Sequence, residues 1–122
     1  MIVAGFGYGS GAALVDFESL LDDLTANVAG KVERLAIPSK SEAGPLAELS
    51  SKLGVERVLI DKAQMRSVAA LCATSSARSL QAYGVPSVAE ACALAAAGAN
   101  AKLLVARNVR GKVTCALAEG EG

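Results

Sequence analysis

The chain has 122 residues, 12 Lys+Arg balanced by 12 Asp+Glu, and no histidine, so a single neutral domain spanning 1–122 is expected. Zero net charge without a Lys or Arg block leaves no electrostatic footprint for nucleic acid or an anionic membrane surface. The lack of histidine removes Ser-His-Asp, Cys-His and His-metal mechanisms from this chain.

Hydrophobic residues make up 52% but aromatics only 3%, and 25 residues are alanine, which predicts a core of small side chains in closely packed elements. Ile2 to Phe6 is a short apolar run that stops in Gly7, Gly9 and Gly11, the pattern of a buried strand feeding a glycine loop. Asp16 is the expected cap of a first helix over Leu20, Leu21, Leu24 and Val28, with Gly30 closing it. Val32 to Ile37 reads as the second strand. Pro45, the Leu46, Leu49, Leu53 stripe and Gly54 mark the second helix. Val55 to Ile60 is the third strand, and Asp61 with Gln64 has capping-box spacing for a helix over Met65, Val68 and Cys72.

Thr74, Ser75 and Ser76 start a short helix ending at Tyr83 and Gly84, and Ser87 caps an alanine-rich helix running to near Gly98. Leu103 to Ala106 and Val113 to Leu117 are strands joined by a connection too short for a crossover, so they should pair antiparallel. The alternation predicts an α/β fold: three-layer α/β/α with a mixed, mostly parallel five-stranded sheet, the last strand antiparallel.

Cys72, Cys92 and Cys115 are an odd set with no C-x-x-C pair, which suits reduced packing residues and no disulfide framework or zinc site. Neither a metal nor a cofactor is expected. The N-terminus lacks the basic start of a secretory signal, and no apolar run reaches the roughly 18 residues of a membrane span, so a soluble cytoplasmic protein is expected.

In open α/β sheets ligands sit at the carboxyl ends of the strands, which directs attention to Gly7, Gly9 and Gly11, to Ser39 through Glu42, and to Asp61 and Lys62. Backbone donors with Lys40 would form an anion-binding rim there, or Lys40 is a solvated loop lysine. A dinucleotide loop read as G-x-G-x-x-A through Gly7, Gly9 and Ala12 fits poorly. Its helix starts too far downstream, and Ser39 and Lys40 stand where an acidic residue belongs. Ser76 is a helix cap or a ligand contact. Ser87 and Glu90 have capping-box spacing, and Glu90 is the alternative catalytic acid or base if its carboxyl faces the ligand. Arg107 reaches solvent or an anion. For hydrolysis the remaining bases are Glu42, Glu90 and Asp61.

The run Gly84 Val85 Pro86 Ser87 Val88 Ala89 Glu90 Ala91, then Leu103 Leu104 Val105 and Thr114 Cys115 Ala116 Leu117 Ala118, closely resembles the CobE family, which includes the C-terminal domain of CbiG. The likeness continues in the glycine loop, in the Lys-x-Glu of Lys40 and Glu42, and in Ser76. It departs at Tyr8, Gly9 and Ser10, where the family commonly has cysteine or arginine, and at Arg107, where it often has lysine. The resemblance implies a cobalamin (vitamin B12) biosynthesis protein that binds a precorrin or hydrogenobyrinic-acid-like corrinoid as an accessory or carrier. Other cobalamin-pathway enzymes are its candidate protein partners. The alternatives are a hydrolase component opening a corrinoid lactone, as CbiG proteins do, and a nucleotide-binding regulatory domain. The ligand-binding candidates are therefore Gly7, Gly9, Gly11, Lys40, Glu42, Ser76, Ser87, Glu90 and Arg107.

Overall fold

The protein was analysed as a computed structural model that describes residues 1–40 and 44–122. Its elements are β1 (Ile2–Tyr8), α1 (Leu14–Thr25), β2 (Val32–Pro38), α2 (Gly44–Leu53), β3 (Glu56–Ile60), α3 (Lys62–Ser67), α4 (Ala77–Tyr83), α5 (Val88–Ala97), β4 (Lys102–Arg110) and β5 (Val113–Glu119). The sheet order is β3-β2-β1-β5-β4. β1 pairs with β2 and β2 with β3 in parallel, while β5 runs antiparallel to both β1 and β4. Only β5 is reversed, as the short last connection requires.

Strand alternation sorts the core into two layers. Ala4, Phe6, Leu35, Ile37, Val113, Cys115 and Leu117 face α1 and α2, where Phe17, Leu20, Leu24, Leu46 and Leu49 cover them. Val3, Ala36 and Ala118 face the opposite way, onto Ala91, Cys92, Ala93, Leu94 and Ala97 of α5 and Met65 of α3. The alanine content acquires its meaning here, because small side chains let α5 lie almost on the backbone of β1. A Cβ at Gly5 would sit 2.1 Å from the Ala89 carbonyl oxygen and 2.5 Å from the Ala93 nitrogen, so this strand position requires glycine.

Local capping departs from expectation at two helices. α1 starts at Leu14 with Ala13 at its cap position and no side-chain cap bond, which places Asp16 inside the first turn. Leu14 already packs on the α1-side core, so burial extends the helix past the residue that capping preference favours. At α3 the box is complete: Asp61 Oδ1 accepts from the Gln64 N–H at 2.8 Å and Gln64 Oε1 from the Asp61 N–H at 2.9 Å. At α5 only half of it forms. Ser87 Oγ accepts from the Glu90 N–H at 3.2 Å, while the Glu90 carboxylate turns elsewhere.

Among the described residues, no helix is long and apolar enough to cross a membrane. The three cysteines are unpaired thiols, Cys92 and Cys115 fully buried and Cys72 half-buried. Desolvation pushes both buried thiols far above the ordinary range.

Candidate functional site

β1, β2 and β4 run in the same direction, so their carboxyl ends share one edge of the sheet. α4 stands outside that edge and leaves a crevice of about 330 Å³. Gly7, Gly9, Arg107, Val109 and Thr114 contribute from the sheet side, Pro38 closes one end, and Ser76, Arg78, Ser79, Ala82 and Tyr83 come from α4. A crevice at this edge is where an open α/β sheet binds ligands, and its size is at the low end for small-molecule sites.

The glycines make the floor by being small. A Cβ at Gly7 would lie 2.9 Å from Thr114 Oγ1, and that hydroxyl donates to the Gly7 carbonyl at 3.1 Å. The Gly9 N–H donates to the Lys112 carbonyl at 3.0 Å, and Lys112 Nζ to the Ser10 carbonyl at 3.1 Å. These bonds tie the glycine loop to the β4–β5 turn. They also spend the Gly9 N–H that an anion-cradling loop would present, which alters the expected role of the glycines from donors to floor. Ser76 Oγ accepts from the Ser79 N–H at 3.3 Å and caps α4; accepting there leaves its O–H to donate toward the crevice.

The charge distribution is lopsided despite the neutral total. Arg78, Arg107 and Lys112 line the crevice, and among the described lining residues there is no carboxylate. The ion pairs among the described residues lie elsewhere: Arg34 with Glu56, Lys52 with Glu18, Lys102 with Glu119 and Arg110 with Asp23. Arg107 Nε is buried and has no hydrogen-bond partner among the described residues. A buried guanidinium donor without an acceptor costs free energy.

Of the residues singled out from sequence, Gly7, Gly9, Ser76 and Arg107 line this one crevice. Gly11 lies at the exposed turn beyond it, 3.6 Å by its ideal Cβ from Lys112 Nζ. Lys40 is exposed, two residues past Pro38, and is not among the lining residues. Glu42 lies outside the described residues. Ser87 and Glu90 are completely buried and do not line the crevice. Ser87 caps α5. Glu90 Oε1 accepts from the N–H groups of Ala73 and Thr74 at 2.7 and 3.0 Å, and Oε2 from Thr74 Oγ1 and the Arg107 N–H at 3.0 and 2.8 Å. Sequence reasoning missed Arg78, Lys112 and Thr114. Lys112 and Thr114 were within reach, because an antiparallel β4–β5 hairpin must turn at the carboxyl end of β1; the placing of Arg78 depends on where α4 docks.

The fold is an open α/β domain with a crevice at the carboxyl edge of its sheet, the place where such sheets commonly bind ligands. Residues 2–118 match the family described as cobalamin synthesis G C-terminus, CbiG_C, and the chain belongs to that family of cobalamin biosynthesis proteins. The crystal structure of CobE, a protein from the cobalamin (vitamin B12) biosynthetic pathway, is similar over 97% of this chain and 89% of that one, at 27% identity and a TM-score of 0.88. The cobalamin biosynthesis protein chiG from Agrobacterium tumefaciens str. C58 is 30% identical over 100% of both chains, with a TM-score of 0.77. No curated protein sequence matches the chain significantly.

Proposed function

We infer that the crevice binds a polycarboxylate corrinoid intermediate of cobalamin biosynthesis, a precorrin or hydrogenobyrinic-acid-like acid, and that the protein acts as its accessory or carrier. The observation that carries this reading is Arg107, whose buried Nε has no acceptor among the described residues, beside Arg78 and Lys112 in a crevice without a described carboxylate. The acetate and propionate arms of such a ligand would offer carboxylate acceptors to these three cations, and charge-assisted bonds are the strong kind. Lys40, exposed just past Pro38, would meet an arm that projects beyond the crevice.

Lactone hydrolysis draws less support, because the Glu90 carboxylate is occupied by four donors and is not part of the crevice lining. A nucleotide phosphate draws less as well. The Gly9 N–H is used, and the first turn of α1 carries Asp16, which repels an anion at that helix end. The test is a spectral titration of the purified protein with hydrogenobyrinic acid, other corrin-pathway intermediates and nucleotides, at low and high salt. Saturable corrinoid binding that weakens with salt is expected. Corrinoid binding indifferent to salt, or a nucleotide bound more tightly than any corrinoid, would overturn the reading.

A further inference from the structure

The most heavily engaged buried polar group in the described chain is the Glu90 carboxylate, and its donors belong to both sides of the crevice. Ala73 and Thr74 lead into α4 and Ser76, whereas Arg107 belongs to β4. The register of β4 on β5 explains why the Arg107 N–H is available. Val105 sits opposite Leu117 and Asn108 opposite Cys115, so β4 advances three residues while β5 advances two. Leu117 and Cys115 both face α1. Strict alternation from Val105 would turn Arg107 to that same side, away from the crevice. The extra residue reverses the sense and brings Arg107 to the crevice, the usual service of a β-bulge beside a site.

We propose that Glu90 is a positioning residue, whose carboxylate holds the bulge that aims Arg107 into the crevice and braces the segment leading into α4. A bulge leaves a backbone donor out of the ladder, and a buried donor must be satisfied. Glu90 Oε2 accepts it at 2.8 Å, while Oε1 fixes two consecutive N–H groups ahead of α4. Glutamine at this position keeps the shape but exchanges an acceptor for a donor, in a pocket where every partner but the Thr74 hydroxyl can only donate.

The structural half of the proposal is independent of any ligand, whereas its effect on binding rests on the reading above. Hydrogen exchange on the unmodified full chain should show slow amides at Ala73, Thr74 and Arg107, and Glu90→Gln should speed these while leaving Ala4 and Leu117 protected. Titration with hydrogenobyrinic acid should show about tenfold weaker binding for Glu90→Gln and about ten- to hundredfold weaker binding for Arg107→Ala. The double variant should lose clearly less than the sum of the two single losses, because part of the Glu90 effect runs through Arg107. Fast exchange of the Arg107 amide in the unmodified protein would overturn the brace. So would full-strength binding by Glu90→Gln, or losses that simply add in the double variant. If Glu90→Gln does not fold, the unmodified exchange pattern and Thr74→Val, which removes only the hydroxyl bond, still decide the matter. Protection of these amides in a protein that binds no hydrogenobyrinic acid would uphold the brace and reject the proposed ligand.

Discussion

Two helices that follow one another in the chain are built on opposite terms. Nine of the ten residues of α5 are buried, and its alanines lie against β1 close enough to require Gly5. None of the residues of α4 is buried, and Leu80 is 48% exposed. α4 is held by its ends. Ser76 caps it and donates its N–H to the Pro86 carbonyl, and Gly84 closes it in the left-handed conformation. Cooperative stability therefore resides in α5 and the sheet, while α4 supplies crevice groups at small cost to the core. Glu90 joins the two regimes, rooted in α5 and bonded to the residues ahead of α4.

The largest effect should follow from disturbing the close approach of α5. Gly5→Ala puts a methyl 2.1 Å from a backbone oxygen, which no rotamer change relieves, so α5 must move off the sheet. A loss of about 3 kcal/mol or more is expected, at or beyond the usual cost of overpacking. Urea denaturation measures it, and a midpoint unchanged from the parent protein would show that α5 does not set the stability.

Thiols probe the same contrast through pH. Burial holds Cys92, in α5, and Cys115, in β5, protonated well above the ordinary thiol value of 9.0. Above that pH the unfolded chain loses both protons while the folded chain keeps them, so folding stability falls as pH rises. The slope is about 1.4 kcal/mol per pH unit for each buried thiol. The Cys92→Ala and Cys115→Ala double variant should flatten the decline, measured as unfolding free energy between pH 8 and 10. Cys72, half-buried ahead of α4, should be alkylated first, through local opening. Alkylation of Cys92 at an equal rate would erase the distinction between the two helices.

Binding separates residues that sequence alone weighed together. Arg107→Ala should weaken hydrogenobyrinic acid binding by about 1.5–3 kcal/mol, and Lys40→Ala, exposed and off the crevice lining, by about 1 kcal/mol or less. Calorimetric titration of both variants checks the order. A larger loss for Lys40→Ala would move the site outward along the loop after β2.

The sequence made the sheet legible because strand and helix patterns alternate, and because the six residues between the expected strands Leu103 to Ala106 and Val113 to Leu117 cannot hold a crossover. It did not show that β5 would dock between β1 and β4, since pairing across the sheet depends on which faces are covered. The two capping boxes illustrate the limit. Asp61 with Gln64 and Ser87 with Glu90 share one spacing, yet only the exposed pair closes on itself. Glu90 is buried beside three unsatisfied backbone donors and a hydroxyl, and those outcompete the local bond. Spacing reports what a side chain can reach in its own turn, and burial decides what it must satisfy.

The smallest effect tests whether α4 opens apart from the core. Gly84 adopts φ 72° at the end of α4, and its N–H donates to the Leu80 carbonyl at 2.9 Å. Alanine is strained there by about 1 kcal/mol, and its Cβ would meet only the side chain of Arg66, at 3.2 Å, which can yield. The native state can relieve the strain by unwinding α4, which has no buried residue to lose, so global stability should fall by about 1 kcal/mol or less. Exchange of the Gly84 position's amide should accelerate while that of Leu117 holds. Corrinoid binding should weaken by up to about fivefold, because Ser79, Ala82 and Tyr83 must be ordered again for the crevice to close. A stability loss as large as that of Gly5→Ala would place α4 within the cooperative core, and the contrast between the two helices would then be one of exposure alone.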